Sequence, residues 1–341
     1  MLGTLALALW PVASGGLAAR ADAAIQITGT PSVEDKFPAE AVFTIDATSS
    51  APITDVQLHY TLGPRSTVTL ARAAFDKGTT VHAEYDMRTA GNPLYVPPMS
   101  TIHYFWTLQD ANGDQVQTDP VDWQYVDTRF KFKTATLGNL TLYYYNGSDA
   151  NAQNLLKIGR QAIDKASSLD GTTIDFPVHL VVYANENDIQ AALSHESASS
   201  DPNILGQANP PDAVVLVAGD LTGAYNEDTV RHELTHLVNA QATAGTVGTQ
   251  ANLPLWMDEG LAVNAQNDPG GFATAVEQAI RRDAVVALRI LTPGYRGSDP
   301  DLFYGESWSV MKFLVDSYGA DHLAKLLAAF KNGAAQDDAF K

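Results

Sequence analysis

No cysteine occurs anywhere in the 341 residues, which excludes disulfides, thiolate nucleophiles and cysteine-ligated zinc. Basic residues are few: 21 Lys and Arg stand against 39 Asp and Glu, a formal charge of −18. Phosphate backbones and anionic bilayers are recognised by clustered Lys and Arg, so nucleic acid and acidic membrane surfaces are excluded as partners. The acidity reads as a solvated surface that keeps the chain soluble. Long apolar runs are scarce too. One lies near the start, and no later stretch reads as membrane-spanning. What is present is 45% hydrophobic and 18% charged residues, a globular composition, over a length that suggests two domains rather than one core.

The one apolar run, Leu2 to Trp10, is followed by small and turn-like residues from Pro11 to Gly16. Ala21-Asp22-Ala23 then fits the small-x-small pattern of a signal-peptidase cut. No Lys or Arg precedes the run, so residues 1–24 read either as a cleaved signal peptide or as an uncleaved anchor. Both readings place the protein outside the cytoplasm, secreted or at the cell surface. At the far end, Leu323 to Lys331 reads as an amphipathic helix closed by Asn332-Gly333. Asp337 to Lys341 looks like the start of another helix, as in a chain cut from a longer protein.

From Ile25 to about Thr128 the pattern is β. Ala41–Ile45, Val56–Leu62, Val81–Tyr85 and Ile102–Leu108 are short runs rich in β-branched and aromatic residues, several of them alternating at period two. Ser49-Ser50-Ala51-Pro52, Gly91-Asn92-Pro93 and the hairpin signal Asn112-Gly113-Asp114 separate them. This spacing predicts an all-β sandwich of fibronectin or immunoglobulin type over 25–128. From Phe130 the pattern changes. Strands are expected at Leu140–Tyr145, Val178–Tyr183 and Ala213–Val217, and helices at Ala152–Ser168, Glu227–Ala242, Leu255–Asn267, Phe272–Asp283 and Tyr304–Tyr318. Residues 129–341 therefore read as an α+β domain.

The chemistry concentrates at His232-Glu233-Leu234-Thr235-His236. Helix positions i and i+4 share a face, so both imidazoles reach one metal, and Glu233 stands one step round, beside a metal-bound water. With eight His and ten Glu in the chain, chance would give about 0.005 such matches, which sets the pattern above accident. A catalytic zinc takes three protein ligands and one open position. Glu259, in Leu255-Trp256-Met257-Asp258-Glu259-Gly260-Leu261-Ala262-Val263 on the next expected helix, is the third candidate, reached through a small polar loop from Gly245 to Asn252. Asn226, Glu227 and Asp228 suggest a capped, acidic start for the first helix.

These segments resemble the gluzincin metallopeptidases, the thermolysin-like group. Leu253–Ala262 is similar to the Trp-x-x-Glu-Gly segment of its MA-like bacterial branch, and Phe303–Trp308 with Phe313–Gly319 also resembles that branch. The likeness spans roughly Leu140 to Phe330. It implies a zincin-type domain holding one zinc per chain on His232, His236 and Glu259, with Glu233 as general base. It further implies Tyr304 as a stabiliser of the oxyanion, a role that aromatic packing rivals. Asp258 reads either as a carboxylate orienting a ligand His or as helix solvation, and Glu306 as a helix-start charge.

Aminopeptidases of this group carry a Gly-x-Met-Glu-Asn-like segment about 30 residues upstream. Here Gly206–Val217 lacks its Glu, so an endopeptidase acting on peptide or protein substrate is expected. Ala213–Val217 is the candidate edge for pairing with an extended peptide. The rival functions are a zinc hydrolase acting on a non-peptide substrate, and an exported surface-binding protein whose zinc site is vestigial. The β domain could bind a cell-surface ligand in either case. Of the remaining His residues, His59, His82 and His103 lie in expected strands as polar-face or packing residues, and His179, His195 and His322 have no partner at metal spacing.

Overall fold

A computed structural model describes residues 25–65, 67–90, 95–200, 204–244, 253–291 and 299–341. The Leu2–Ala23 segment, the Gly91-Asn92-Pro93 turn and the Gly245–Asn252 connection lie outside the described residues. No helix among the described residues is long and apolar enough to cross a membrane.

The chain is a mixed α/β protein. Its N-terminal part is antiparallel β: β1 (Ile25–Ile27), β2 (Ser32–Lys36), β3 (Glu40–Leu62), β4 (Thr69–Arg72), β5 (Gly78–Arg88), β6 (Thr101–Asp110), β7 (Gln115–Gln117) and β8 (Val121–Gln124). β3 organises them, pairing with β1, β2, β4, β5 and β6. Ser49–Pro52 does not turn the chain, as the sequence suggests; Ala41–Ile45 and Val56–Leu62 belong to this one strand of 23 residues. The register breaks between Thr48 and Ile53, and a bulge tolerates a proline that an unbroken ladder would not. Before the break β3 pairs with β5; after it, with β6. Phe43 from the first half meets Tyr104 of β6 edge-on at 5.0 Å. The expected hairpin holds at Gly113, whose φ is 87°.

A second sheet follows. β9 (Lys133–Leu137), β10 (Leu140–Tyr144), β11 (Val178–Tyr183), β12 (Gly206–Asn209) and β13 (Val214–Ala218) lie in the order β12-β13-β11-β10-β9. β10, β11 and β13 are parallel, and β9 and β12 are antiparallel edges. The continuous apolar runs arise because both faces are covered. Leu180, Val182, Val215 and Val217 pack under α1 (Asp149–Asp170) and α4 (Ala224–Thr243). Val181, Tyr183, Val214 and Leu216 pack with Met99 and Phe37 from the N-terminal part. Ala213–Val217 is therefore not an edge, as the sequence suggested. Its strand β13 is flanked on both sides, by β11 and β12, and among the described residues the outer strands are β12 and β9. The alternating polar segment Gly206-Gln207-Ala208-Asn209 gave no hydrophobic signal for a strand.

The helices α2 (Glu186–Gln190) and α3 (His195–Ser200) lie before β12, and α5 (Leu255–Ala265), α6 (Gly271–Arg281), α7 (Leu288–Leu291), α8 (Pro300–Tyr318), α9 (Ala320–Lys331) and α10 (Gln336–Ala339) complete the chain. α4 starts three residues earlier than expected, from Gly223 with no side-chain cap. Asn226 instead donates from inside the helix to the Asp220 carbonyl.

Two glycines let α8 approach its neighbours. A Cβ on Gly260 would run into the Ser307 carbonyl and come within 2.6 Å of Met311 Cγ, and one on Gly305 would strike the Phe272 carbonyl. Asn264 bridges the same seam, donating to Gly260 O at 2.7 Å and Trp308 O at 3.1 Å. Gly260→Ala should push α5 and α8 apart and cost about 1–3 kcal/mol. A thermal melt would read this as a fall of several degrees, and an unchanged Tm would refute the close-packing account.

Candidate functional site

α4 presents His232 and His236 on one face, one turn apart. Their Nε2 atoms are 3.1 Å from each other. α5 brings Glu259 to them, with Oε2 at 3.3 Å from His232 Nε2 and 3.5 Å from His236 Nε2. A tetrahedral ion bonded at about 2.0–2.1 Å holds its ligand atoms about 3.3 Å apart. The three donors thus stand at the spacing that zinc imposes, and their chemistry, two imidazoles and one buried carboxylate, suits it. This cluster could hold a metal ion.

The surroundings fix the ligand candidates in place. Asp258 Oδ2 lies 2.9 Å from His236 Nδ1, the contact that a carboxylate orienting that imidazole would make. Its Oδ1 accepts from Asn239 Nδ2 at 2.7 Å, tying α5 to α4. The Gln266 amide lies 3.1 Å from His232 Nδ1. Burial works against charge on His236, but Asp258 and Glu259 outweigh it and raise its pKa well above the ordinary value. Burial alone would raise Glu259; the two imidazoles reverse this and hold it well below the carboxylate range.

Glu233 faces the edge strand. A Cβ at Gly206 would collide with its carboxylate, and the Ala208 backbone N–H donates to it. Burial pushes its pKa up, the two His oppose this, and Glu259 adds to it. Tyr304, on α8, has its ring 6.4 Å from that of His232 and also packs against Phe272 at 5.1 Å. Glu306 is not part of the site. It is buried, and its Oε1 accepts from Val286 N–H at 2.7 Å. The sequence reading missed Gln266, Asn239 and the contact of β12 with Glu233. Only the i, i+4 pair and the acidic helix carried a local signal.

Behind the cluster Asp170 ends α1, buried, with no hydrogen-bond partner on Oδ2 among the described residues. Burial, reinforced by Asp258, pushes its carboxyl up to about 7 from 3.8. Between these values the folded chain keeps a proton that the unfolded chain has lost, so this group makes stability fall as pH rises from about 4 to about 7, with no further change above. Asp170→Asn should abolish that fall. It should raise Tm at pH 8 and leave it unchanged at pH 4, as melts across that range would show. Equal pH profiles for the two proteins would contradict the buried-acid reading.

The mixed α/β fold and the His-His-Glu cluster place the chain in the class of zincin-like peptidases. A family model for the Peptidase MA superfamily matches residues 158–341, and the chain belongs to that superfamily. A search of curated proteins found no match. Among solved structures the chain is similar to an M1 zinc metallopeptidase from Deinococcus radiodurans, at 12% identity over 88% of this chain and 84% of that one, with a TM-score of 0.34. It is also similar to OgpA from Akkermansia muciniphila, at 8% identity, 30% and 28% coverage and a TM-score of 0.23. A third likeness is to a carbohydrate-binding module of family 56, a beta-1,3-glucan binding domain, at 20% identity, 28% and 96% coverage and a TM-score of 0.19.

Proposed function

We propose that this protein is an exported zinc endopeptidase of the thermolysin-like gluzincin kind. In this reading residues 1–24 are the export signal, 25–128 a fibronectin- or immunoglobulin-like sandwich and 129–341 the peptidase domain. The observation that carries it is the convergence of His232, His236 and Glu259 at zinc spacing, with Glu233 between that cluster and the outer strand β12. His232, His236 and Glu259 would hold one zinc, which when bound supplies a Lewis acid that acidifies water and polarises a carbonyl.

The remaining steps belong to the chain. An extended peptide would add to β12 by main-chain pairing, which brings its backbone past Glu233. Glu233 takes a proton from the attacking water and delivers it to the leaving amine. Desolvation, which raises its proton affinity, suits a group that must do both. Tyr304 would donate its hydroxyl proton in a hydrogen bond to the oxyanion, a role supported by its ring lying 6.4 Å from that of His232. Asp258 orients His236. β12 carries no carboxylate to hold a free amino terminus, which favours cleavage within chains.

The test is the zinc content of the purified protein measured beside casein cleavage. One zinc per chain with cleavage supports the reading. One zinc without cleavage of casein or a peptide library shifts it to a non-peptide substrate, and no zinc sinks it.

A further inference from the structure

The N-terminal β region touches the turn that follows the outer strand β12 at one point and β12 itself at another. The first is the turn after β3. Gly63 has φ +52°, and a Cβ there would stand 2.8 Å from the Asp212 carbonyl oxygen, so the turn lies flat against the segment that leaves β12. Arg65, two residues on, donates from Nη2 to the Asp212 carboxylate at 2.8 Å and from Nε to the Pro211 carbonyl at 3.3 Å. Asp212 is buried, with 5% of its surface exposed. An exposed ion pair would contribute little; this one joins a buried carboxylate to the Nη2 of a guanidinium whose Nε is held by the Pro211 carbonyl. Pro210–Asp212 is a single 3-10 turn that joins β12 to β13, so a clamp on Asp212 fixes where β12 ends.

The second point is Tyr95, which follows β5 in the chain. Its hydroxyl donates to the Ala192 carbonyl at 2.5 Å and also hydrogen-bonds the Gln207 side chain. Gln207 lies inside β12. Its Oε1 accepts from Ser194 N–H at 3.1 Å, and its Nε2 donates to Asn209 Oδ1 at 2.6 Å. The strand between these two anchors is the one whose Gly206 and Ala208 meet Glu233. As an outer strand it has a ladder on one side only among the described residues, and such a strand is free to fray unless something else holds it.

We infer that the N-terminal β region is a working part of the peptidase: Arg65 and Tyr95 are positioning residues that hold β12 in register with Glu233. This rests on the proposed peptidase activity for its kinetic consequence, but not for the clamp itself. Neither side chain touches the metal-ligand candidates, so both act through the strand.

The experiment compares full-length wild type, Arg65→Ala, Arg65→Lys and Tyr95→Phe. It measures amide hydrogen exchange, bound zinc, and kcat and KM on a casein-derived peptide. In Arg65→Ala and Tyr95→Phe the amides of 205–209 should exchange about tenfold faster, while those of β11 and β13 stay protected and one zinc remains. kcat should fall about tenfold or more, because a small displacement at the reacting centre is costly, and Arg65→Lys should recover part of it. Tyr95→Phe removes one hydroxyl and decides the matter if Arg65→Ala does not fold. Unchanged exchange in β12 overturns the clamp. Faster exchange with wild-type kcat overturns its positioning role. If even wild type cleaves nothing, the exchange result still upholds or refutes the clamp, and the failure lies with the peptidase reading.

Discussion

Glu233→Gln should keep one zinc per chain and lower peptide cleavage by about 10³-fold or more, the upper part of the range that a positioned acid-base group supplies. Gln has the same length and fills the same space beside Gly206, and it can still meet the Ala208 amide through its oxygen. What it loses is the ability to take and return a proton. The metal-ligand candidates do not include Glu233, so zinc content should not move. Zinc analysis and kcat from one preparation check both halves. Loss of zinc would mean that Glu233 is a ligand. Retained cleavage would mean that the base is another group, or that water alone suffices.

Glu259→Gln should have the opposite signature. Glu259 supplies the only anionic donor of the cluster, 3.3 and 3.5 Å from the two imidazoles. The amide keeps the shape and gives up the charge that a divalent cation needs in a buried site. Zinc affinity should fall by about a hundredfold or more, since even outer partners of a zinc ligand matter at the tenfold to hundredfold level, and cleavage should fall with it. Stability offers a second readout. Zinc at about 1,000 times its Kd should stabilise wild type by about 4 kcal/mol, whereas the variant's Tm should respond little to added zinc. A chelator should take wild type to the same point. A variant that binds zinc as wild type does would remove Glu259 from the ligand set.

These two residues differ in how they could be read from the sequence. Glu233 sits inside a five-residue pattern whose meaning follows from helix geometry, and α4 places it so. Glu259 has no local signature. Its recognition rested on the next amphipathic helix and on the resemblance of Leu253–Ala262 to a known segment, and α5 does bring it to His232 and His236. Tyr304 was legible only through the resemblance, with aromatic packing as its rival, and its ring lies 6.4 Å from that of His232 and 5.1 Å from that of Phe272. Contacts that depend on distant parts of the chain left no trace: Gln266 at His232, Asp170 behind Asp258, and β12 against Glu233. β12 itself was hidden because Gly-Gln-Ala-Asn carries no apolar alternation; neighbouring strands, not propensity, make it a strand. The reverse error occurred at Ser49–Pro52, where turn-forming residues are held in an extended strand because partners on both sides of the break supply its hydrogen bonds.

The multiple pairing of β3 has a consequence for how the chain is made. A chain emerging N-terminus first presents Asp55–Leu62 well before their partners in Thr101–Asp110 exist. During that interval this apolar stretch is an open template for other extended chains. Its early half finds β1 and β2 from residues already present. The order of assembly is thereby written into one strand: each half gains a first partner early, β1 and β2 for one and β4 for the other, and each keeps an open side until β5 or β6 has followed.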